Sequence, residues 1–228
     1  INANGSFGYV TNPKLDPVAD DNDAGVMHYT SPGSSVANVT KMEHYWDEGF
    51  GYLYGQDDQY DPLLGQGGLL NDYLAGVDAT YAVGIADAIY DAFKLGRAAI
   101  VVKDYTLRDE QAAIIKVELS KVVGYYAIHY MNDYVAKLES GNIASAHHSL
   151  SEAWGFLLSL QFTNNGNDEP FMERGVVEYF LDNYMADFHN MNPYYLTAPY
   201  NASMPQATGM ITLLLQAFED NGVSLNIN

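Results

Sequence analysis

Two stretches of this sequence carry the same order of chemically capable residues. His44–Tyr52 reads HYWDEGFGY and His148–Phe156 reads HSLSEAWGF. Both follow His-x3-Glu-x2-Gly-aromatic, 104 positions apart, so that His44 matches His148, Glu48 matches Glu152, Gly51 matches Gly155 and Tyr52 matches Phe156. Imidazole and carboxylate together can move protons or ligate a borderline metal ion. On a helix, positions i and i+4 share one face a turn apart, so each stretch places both groups side by side. The glycine at i+7 extends that face without a side chain, and Ser159 continues it in the second copy. An apolar stripe lies opposite: Val39, Met42, Trp46, Phe50 and Leu53 in the first copy, Ile143, Leu150, Trp154 and Leu157 in the second. The shared order points to an internal duplication.

Three readings of the pairs stand open on the residues alone. The stripe is a solvated helix face with an ordinary His/Glu pair. Alternatively, the glycines let a neighbouring helix approach, and the two pairs form a buried polar network. Arg97, in the apolar context LGRAAIVV, is then the counter-charge to Glu48 or Glu152, because a guanidinium cannot shed its charge. Thirdly, the stripe binds a metal, and Arg97 then lies behind the ligands and orients their carboxylates. Imidazole plus carboxylate suits zinc or iron better than calcium. If the halves face each other, His44, Glu48, His148 and Glu152 complete a four-ligand set. His129, on the apolar face of a long helix, is a hydrogen-bonded core residue or a further ligand. His147 reads as packing, while His28 and His189 fall in or near loops and carry no signal. Neither Glu-x-x-His nor His-Glu-x-x-His occurs, which argues against a di-iron carboxylate bundle and a zincin peptidase.

Calcium is the weaker alternative. DPVADDNDAG groups Asp16, Asp20, Asp21 and Asp23, and oxygen-rich loops suit that ion. The EF-hand order is not met, since Gly25 is fifth counted from Asp21, and a solvated loop is the preferred reading.

The elements that must position these groups read as helices. No proline falls between residues 63 and 169, and apolar residues recur there at helical spacing. Residues 1–34 are expected to form an irregular N-terminal arm. A helix is predicted from Ser35 to about Tyr54, capped by Ser34 or Ser35, followed by a loop over Gly55–Gly68. The next helical region runs from about Leu69 to Val102, broken near Gly76, with Asp78 capping its second part. Thr106 caps a long helix ending near Ser140 at Gly141, and Asn142 caps another to about Phe162. Residues 171–188 and about 206–220 form the last helices. No alternating strand pattern stands out. The expected class is all-α: a bundle of six or seven helices, one domain over 35–228, with repeat halves at about 35–105 and 106–228.

Composition limits the function. In 228 residues, 48% are hydrophobic and 17% charged, which suits a folded globule, and the formal charge is −19. Such an acidic chain disfavours nucleic-acid and anionic-membrane partners and attracts cations. Cysteine is absent, excluding disulfides, iron–sulfur clusters and thiolate chemistry. No apolar run is long enough for a transmembrane span. The opening at Ile1, without a basic leader, and the paucity of Lys and Arg lead to the expectation of export, with a leader removed or the chain trimmed. Export here means the periplasm, the outer-membrane surface or the extracellular space. No Gly-x-Ser-x-Gly, phosphate loop, dinucleotide fingerprint or basic patch occurs, so an enzyme is the less favoured class. Tyr194, Tyr195 and Tyr200 belong to a tyrosine-rich loop that could contact sugar or a second subunit, and the N-terminal arm offers another homo-oligomer contact.

The blocks HYWDEGFGYLYG, KLGRAAI (Lys94–Ile100), HYMNDY (His129–Tyr134) and HHSLSEAWGF together resemble a bacterial family of unknown function, numbered 4856. Its members show H-x-WDE-x-FGY, GRAAI and H-x-LSE-x-[YW]-GF blocks in that order, and the resemblance spans roughly residues 35–225. It implies an exported, often lipid-anchored bacterial protein, and no activity. A more distant similarity is to imelysin-like proteins, which are helical, duplicated and linked to iron through Gly-x-His-x-x-Glu. Here His44 has Asp47 at +3 and Glu48 at +4, His148 has Ser151 and Glu152, and neither has glycine two positions before. The resulting expectation is a non-enzymatic exported binding protein, metal- or iron-linked through the two His/Glu pairs. The rival is a self-assembling surface protein in which the same residues are an internal staple.

Overall fold

The computed structural model describes residues 22–23, 39–55, 62–66, 68–200 and 208–227. Among them are eight α-helices: α1 (Lys41–Tyr54), α2 (Leu69–Thr80), α3 (Ile85–Val102), α4 (Tyr105–Glu139), α5 (Ile143–Ser159), α6 (Arg174–Tyr184), the single turn α7 (Tyr194–Thr197) and α8 (Met210–Asp220). The described residues contain no β-strand, so the chain is all-α as expected. It divides into two compact units, up to Glu118 and from Leu119, the boundary falling within α4.

Helix ends follow local chemistry, with several departures from the expected boundaries, among them α6, which spans Arg174–Tyr184 where a helix over 171–188 is expected. α1 begins at Lys41, because Thr40 and Glu43 form a capping box: the Glu43 amide donates to Thr40 Oγ1 (3.3 Å) and the Thr40 amide to Glu43 Oε2 (2.6 Å). The break between α2 and α3 lies at residues 81–84 and not at Gly76. Gly84 adopts φ +91° there, and Asp78 Oδ1 accepts from the amides of Gly84 (2.9 Å) and Ala86 (3.1 Å). The expected cap is therefore supplied from the preceding helix. α4 starts before Thr106, and its Leu107 amide is held by Asp104 Oδ1 at 3.0 Å. Gly141 (φ +78°) follows its end, and Asn142 caps α5 by accepting from the Ser145 amide, both as predicted.

In the first unit α1 packs on α3. Trp46 donates its indole N–H to the Phe93 carbonyl (2.9 Å), and Phe50, Tyr54 and Phe93 form an aromatic cluster at 4.6–6.3 Å. Asn22 and Asp23 are the described part of the expected arm, and they bind their own chain. Asn22 donates to the Ile100 carbonyl (3.1 Å) and accepts from Thr40 Oγ1, and the Lys103 ammonium donates to the Asp23 carbonyl. The remainder of residues 1–34 lies outside the described residues.

In the second unit α5 packs on α6. Phe171 stacks on Phe218 of α8 at 3.9 Å, and Gly124 leaves room for Phe218 and Leu225. The loop after α5 is tied to α4 by the Asn164 amide donating to Ser120 Oγ (2.8 Å).

Candidate functional site

Helical spacing places each His/Glu pair on one face, and packing decides what that face meets. On α1, Met42, Trp46, Gly49 and Leu53 are buried; on α5, the matching positions Ala146, Leu150, Ala153 and Leu157 are buried. The two copies thus present the same buried stripe, the spacing of any amphipathic helix with one packed face. The His/Glu stripe lies away from it. His44 is half-buried and Glu48 exposed. His148 has a 71% exposed side chain and Glu152 a 34% exposed one, with Nε2 to Oε1 at 3.9 Å.

The glycines do not bring a neighbouring helix onto this stripe. A β-carbon built at Gly51 or Gly155 meets no atom within 4 Å. The expectation of a closely packed His/Glu network is corrected on that point: both glycines face open space. Their aromatic neighbours also differ, since Tyr52 is 70% exposed whereas Phe156 packs across both Tyr126 (5.5 Å) and Tyr130 (5.6 Å) of α4.

Arg97 has different partners from those expected. Its Nε donates to Asp47 Oδ1 (2.8 Å) and its Nη1 to Glu43 Oε1 (2.7 Å), rather than to Glu48. Arg97 on α3 reaches the α1 face carrying Glu43 and Asp47, one turn apart, while Glu48 projects to solvent. Burial works against the Glu43 carboxylate, but the Thr40 amide and Arg97 more than offset it, holding its pKa below the ordinary carboxylate range. Two neighbouring blocks of the sequence thus meet residue for residue: Trp46 packs on Gly96 and Asp47 binds Arg97. The acids at 43 and 47, spaced by four and flanking His44, were the available sequence signal for this contact.

The second unit holds two clusters that the spacing did not single out. Ser149, fully buried inside the second motif copy, donates to Asp133 Oδ2 (2.5 Å). Lys137 Nζ donates to both Asp133 (2.6 Å) and Ser149 Oγ (3.0 Å). Desolvation opposes the Asp133 charge, yet Lys137 and Ser149 keep its pKa below normal. His147 of α5 meets His189 of the 3₁₀ turn Phe188–Asn190, ring centres 5.2 Å apart at 83°. His129 packs its ring on Tyr126 (5.7 Å) and Tyr130 (5.1 Å) and adds to the electrostatic field at Asp133.

Among the described residues no group of three or more His, Asp or Glu is placed to hold a metal ion. The His44/Glu48 pair lies in the first unit and the His148/Glu152 pair in the second. Of the calcium candidates, Asp20 and Asp21 lie outside the described residues, and the Asp23 carboxylate accepts from the Tyr105 hydroxyl. No described helix is long and apolar enough to cross a membrane.

Comparison with known proteins gives one match. No curated protein and no solved structure is significantly similar. A family model matches residues 12–193, beginning before the expected span and stopping short of α8. That stretch contains both motif copies, the Gly96–Arg97 block and the α1–α3 contact they build. The chain belongs to the family described as a domain of unknown function, DUF4856.

Proposed function

We propose that this protein is a non-enzymatic binding protein that takes up a divalent transition metal, zinc or iron, at its helix-borne His/Glu pairs. One observation carries the reading: His148 Nε2 and Glu152 Oε1 stand 3.9 Å apart on one helix turn, the imidazole mostly in solvent. Zinc bonds to imidazole nitrogen and carboxylate oxygen are about 2.0–2.2 Å, so a modest rotamer change lets one ion bridge the pair. Two protein donors leave the remaining coordination positions to water or an incoming ligand, which makes the site exchangeable rather than structural. The net charge of −19 raises cation concentration near the surface. His44 and Glu48 offer a second pair of the same type. Export to the periplasm or cell surface is part of this proposal, supported by the Lys- and Arg-poor composition.

The test is calorimetric titration of the chelator-treated full chain with Zn²⁺ and, anaerobically, Fe²⁺. It is set beside His148→Ala/Glu152→Gln and His44→Ala/Glu48→Gln. Loss of a binding event in the His148/Glu152 variant supports the reading; identical isotherms in all three proteins overturn it.

A second reading has its own observation. Tyr179, Tyr194, Tyr195 and Tyr200 are 39–63% exposed in the second unit, and Tyr195 lies 4.3 Å from Tyr184. Exposed tyrosines of this kind suit a contact surface between copies of a self-assembling protein. Sedimentation velocity with Tyr179→Ser/Tyr195→Ser decides it: a monomer at all concentrations removes this reading.

A further inference from the structure

We infer that His147 and His189 form a two-imidazole binding site for a borderline divalent cation, Zn²⁺ by preference. The site is distinct from the His148/Glu152 pair, though it shares helix α5 with it. Neither histidine gave a sequence signal as a ligand, and they lie 42 positions apart. The fold brings them together through the 3₁₀ turn Phe188–Asn190, which Asp187 caps by accepting from the His189 amide at 3.0 Å.

The spacing fits a tetrahedral ion. With zinc–nitrogen bonds of about 2.05 Å, two imidazoles on one tetrahedral ion have their ring centres about 5.2 Å apart. The His147 and His189 ring centres are 5.2 Å apart. Their 83° interplanar angle means that the rings do not lie flat against each other, a stacking that would turn the nitrogens of both away from a common ion. His189 is exposed and His147 half-buried, so the pair has one rigid wall and one side open to solvent. The Asp187 carboxylate is held by Asn190 (2.6 Å) and the His189 amide, and it fixes the turn instead of acting as a donor to the ion. Water or an exogenous donor completes the coordination. An imidazole pair selects Zn²⁺, Cu²⁺ or Ni²⁺ over Ca²⁺ and Mg²⁺, which prefer oxygen.

The experiment competes the full chain against a chromogenic zinc chelator, and then replaces Zn²⁺ by Co²⁺ to read its visible bands. The variants are His189→Ala, His147→Gln and His148→Ala/Glu152→Gln, each checked by circular dichroism. His189→Ala is the decisive variant, because its side chain is exposed and the turn keeps its Asp187 cap. The expected result is loss of one Zn²⁺ equivalent and of its cobalt bands in His189→Ala and His147→Gln, while His148→Ala/Glu152→Gln loses a separate equivalent and keeps this one. Unchanged affinity in His189→Ala overturns the inference. Loss only in His148→Ala/Glu152→Gln overturns it and leaves the proposed function standing. Loss only in the His147 and His189 variants leaves this site and removes the other. No binding by the unmodified chain overturns both.

Discussion

The ring of Trp46 fills the volume that any side chain on Gly96 would need. A β-carbon built at Gly96 lies 2.1 Å from Trp46 Cζ2 and 2.3 Å from Cη2. The indole cannot swing away without losing its hydrogen bond to the Phe93 carbonyl and its edge contact with the Phe93 ring (5.9 Å). Gly96→Ala therefore forces α1 and α3 apart. The expected cost is about 1–3 kcal/mol, read as a lower urea midpoint with unchanged slope. A neutral Gly96→Ala would show that the helices slide at little cost and that this contact does not set their spacing. Gly155→Ala is the control, since its β-carbon enters open space and alanine is the better helix former; it should stabilise by up to about 1 kcal/mol.

Arg97 is the next residue along, and its loss strands Glu43, whose side chain is only 14% exposed. Arg97→Gln is expected to destabilise by about 2 kcal/mol at neutral pH, the cost of leaving a largely buried carboxylate short of a charged hydrogen-bond partner. The pH dependence has a definite sign. The folded-state pKa of Glu43 lies below its unfolded value, so its contribution is fully present above the unfolded value of about 4.3 and fades as pH falls through the folded one. Arg97→Gln should flatten that acid limb. Urea melts at pH 7 and about pH 3 check it: equal slopes against pH in the two proteins would mean that Arg97 does not hold Glu43 down.

Asp78, in the last turn of α2, caps the start of α3 with its carboxylate. Asp78→Ala leaves the Gly84 and Ala86 amides without that acceptor and is expected to cost about 1 kcal/mol, the usual price of a lost helix cap. Hydrogen exchange should speed up first at the start of α3. Unaltered exchange there would mean that water replaces the cap at no cost.

Metal uptake should register as stability. An ion that binds the folded chain and not the unfolded one adds about 1.4 kcal/mol at ten times its dissociation constant. Zn²⁺ is expected to raise the melting temperature, and a chelator to reverse the rise fully, because the His148/Glu152 pair is exposed and two-donor. A rise with Ca²⁺ or Mg²⁺ of the same size would point to general screening of the acidic surface rather than to imidazole ligation.

Much of the secondary structure was legible because its causes are local. Met42, Trp46 and Leu53 mark the buried stripe of α1 by their spacing alone, and Gly141 and Asn142 mark the junction of α4 and α5 by their own conformational preferences. α1 starts later than the serines imply because Thr40 and Glu43 form a reciprocal capping box. The link between the WDE and GRA blocks was visible as order along the chain but not as contact.

The sequence by itself determined the helical class, the apolar faces except at Ile143, which the structure leaves 48% exposed, the His/Glu adjacency on each helix and the family, since periodicity, capping and residue order need no distant partner. Only the tertiary structure decided that Arg97 takes Glu43 and Asp47, that Gly96 is crowded while Gly51 and Gly155 are open, and that His147 meets His189. The reason is geometric. A helix offers several faces at the same period, and which face meets which neighbour depends on packing between segments far apart in the chain.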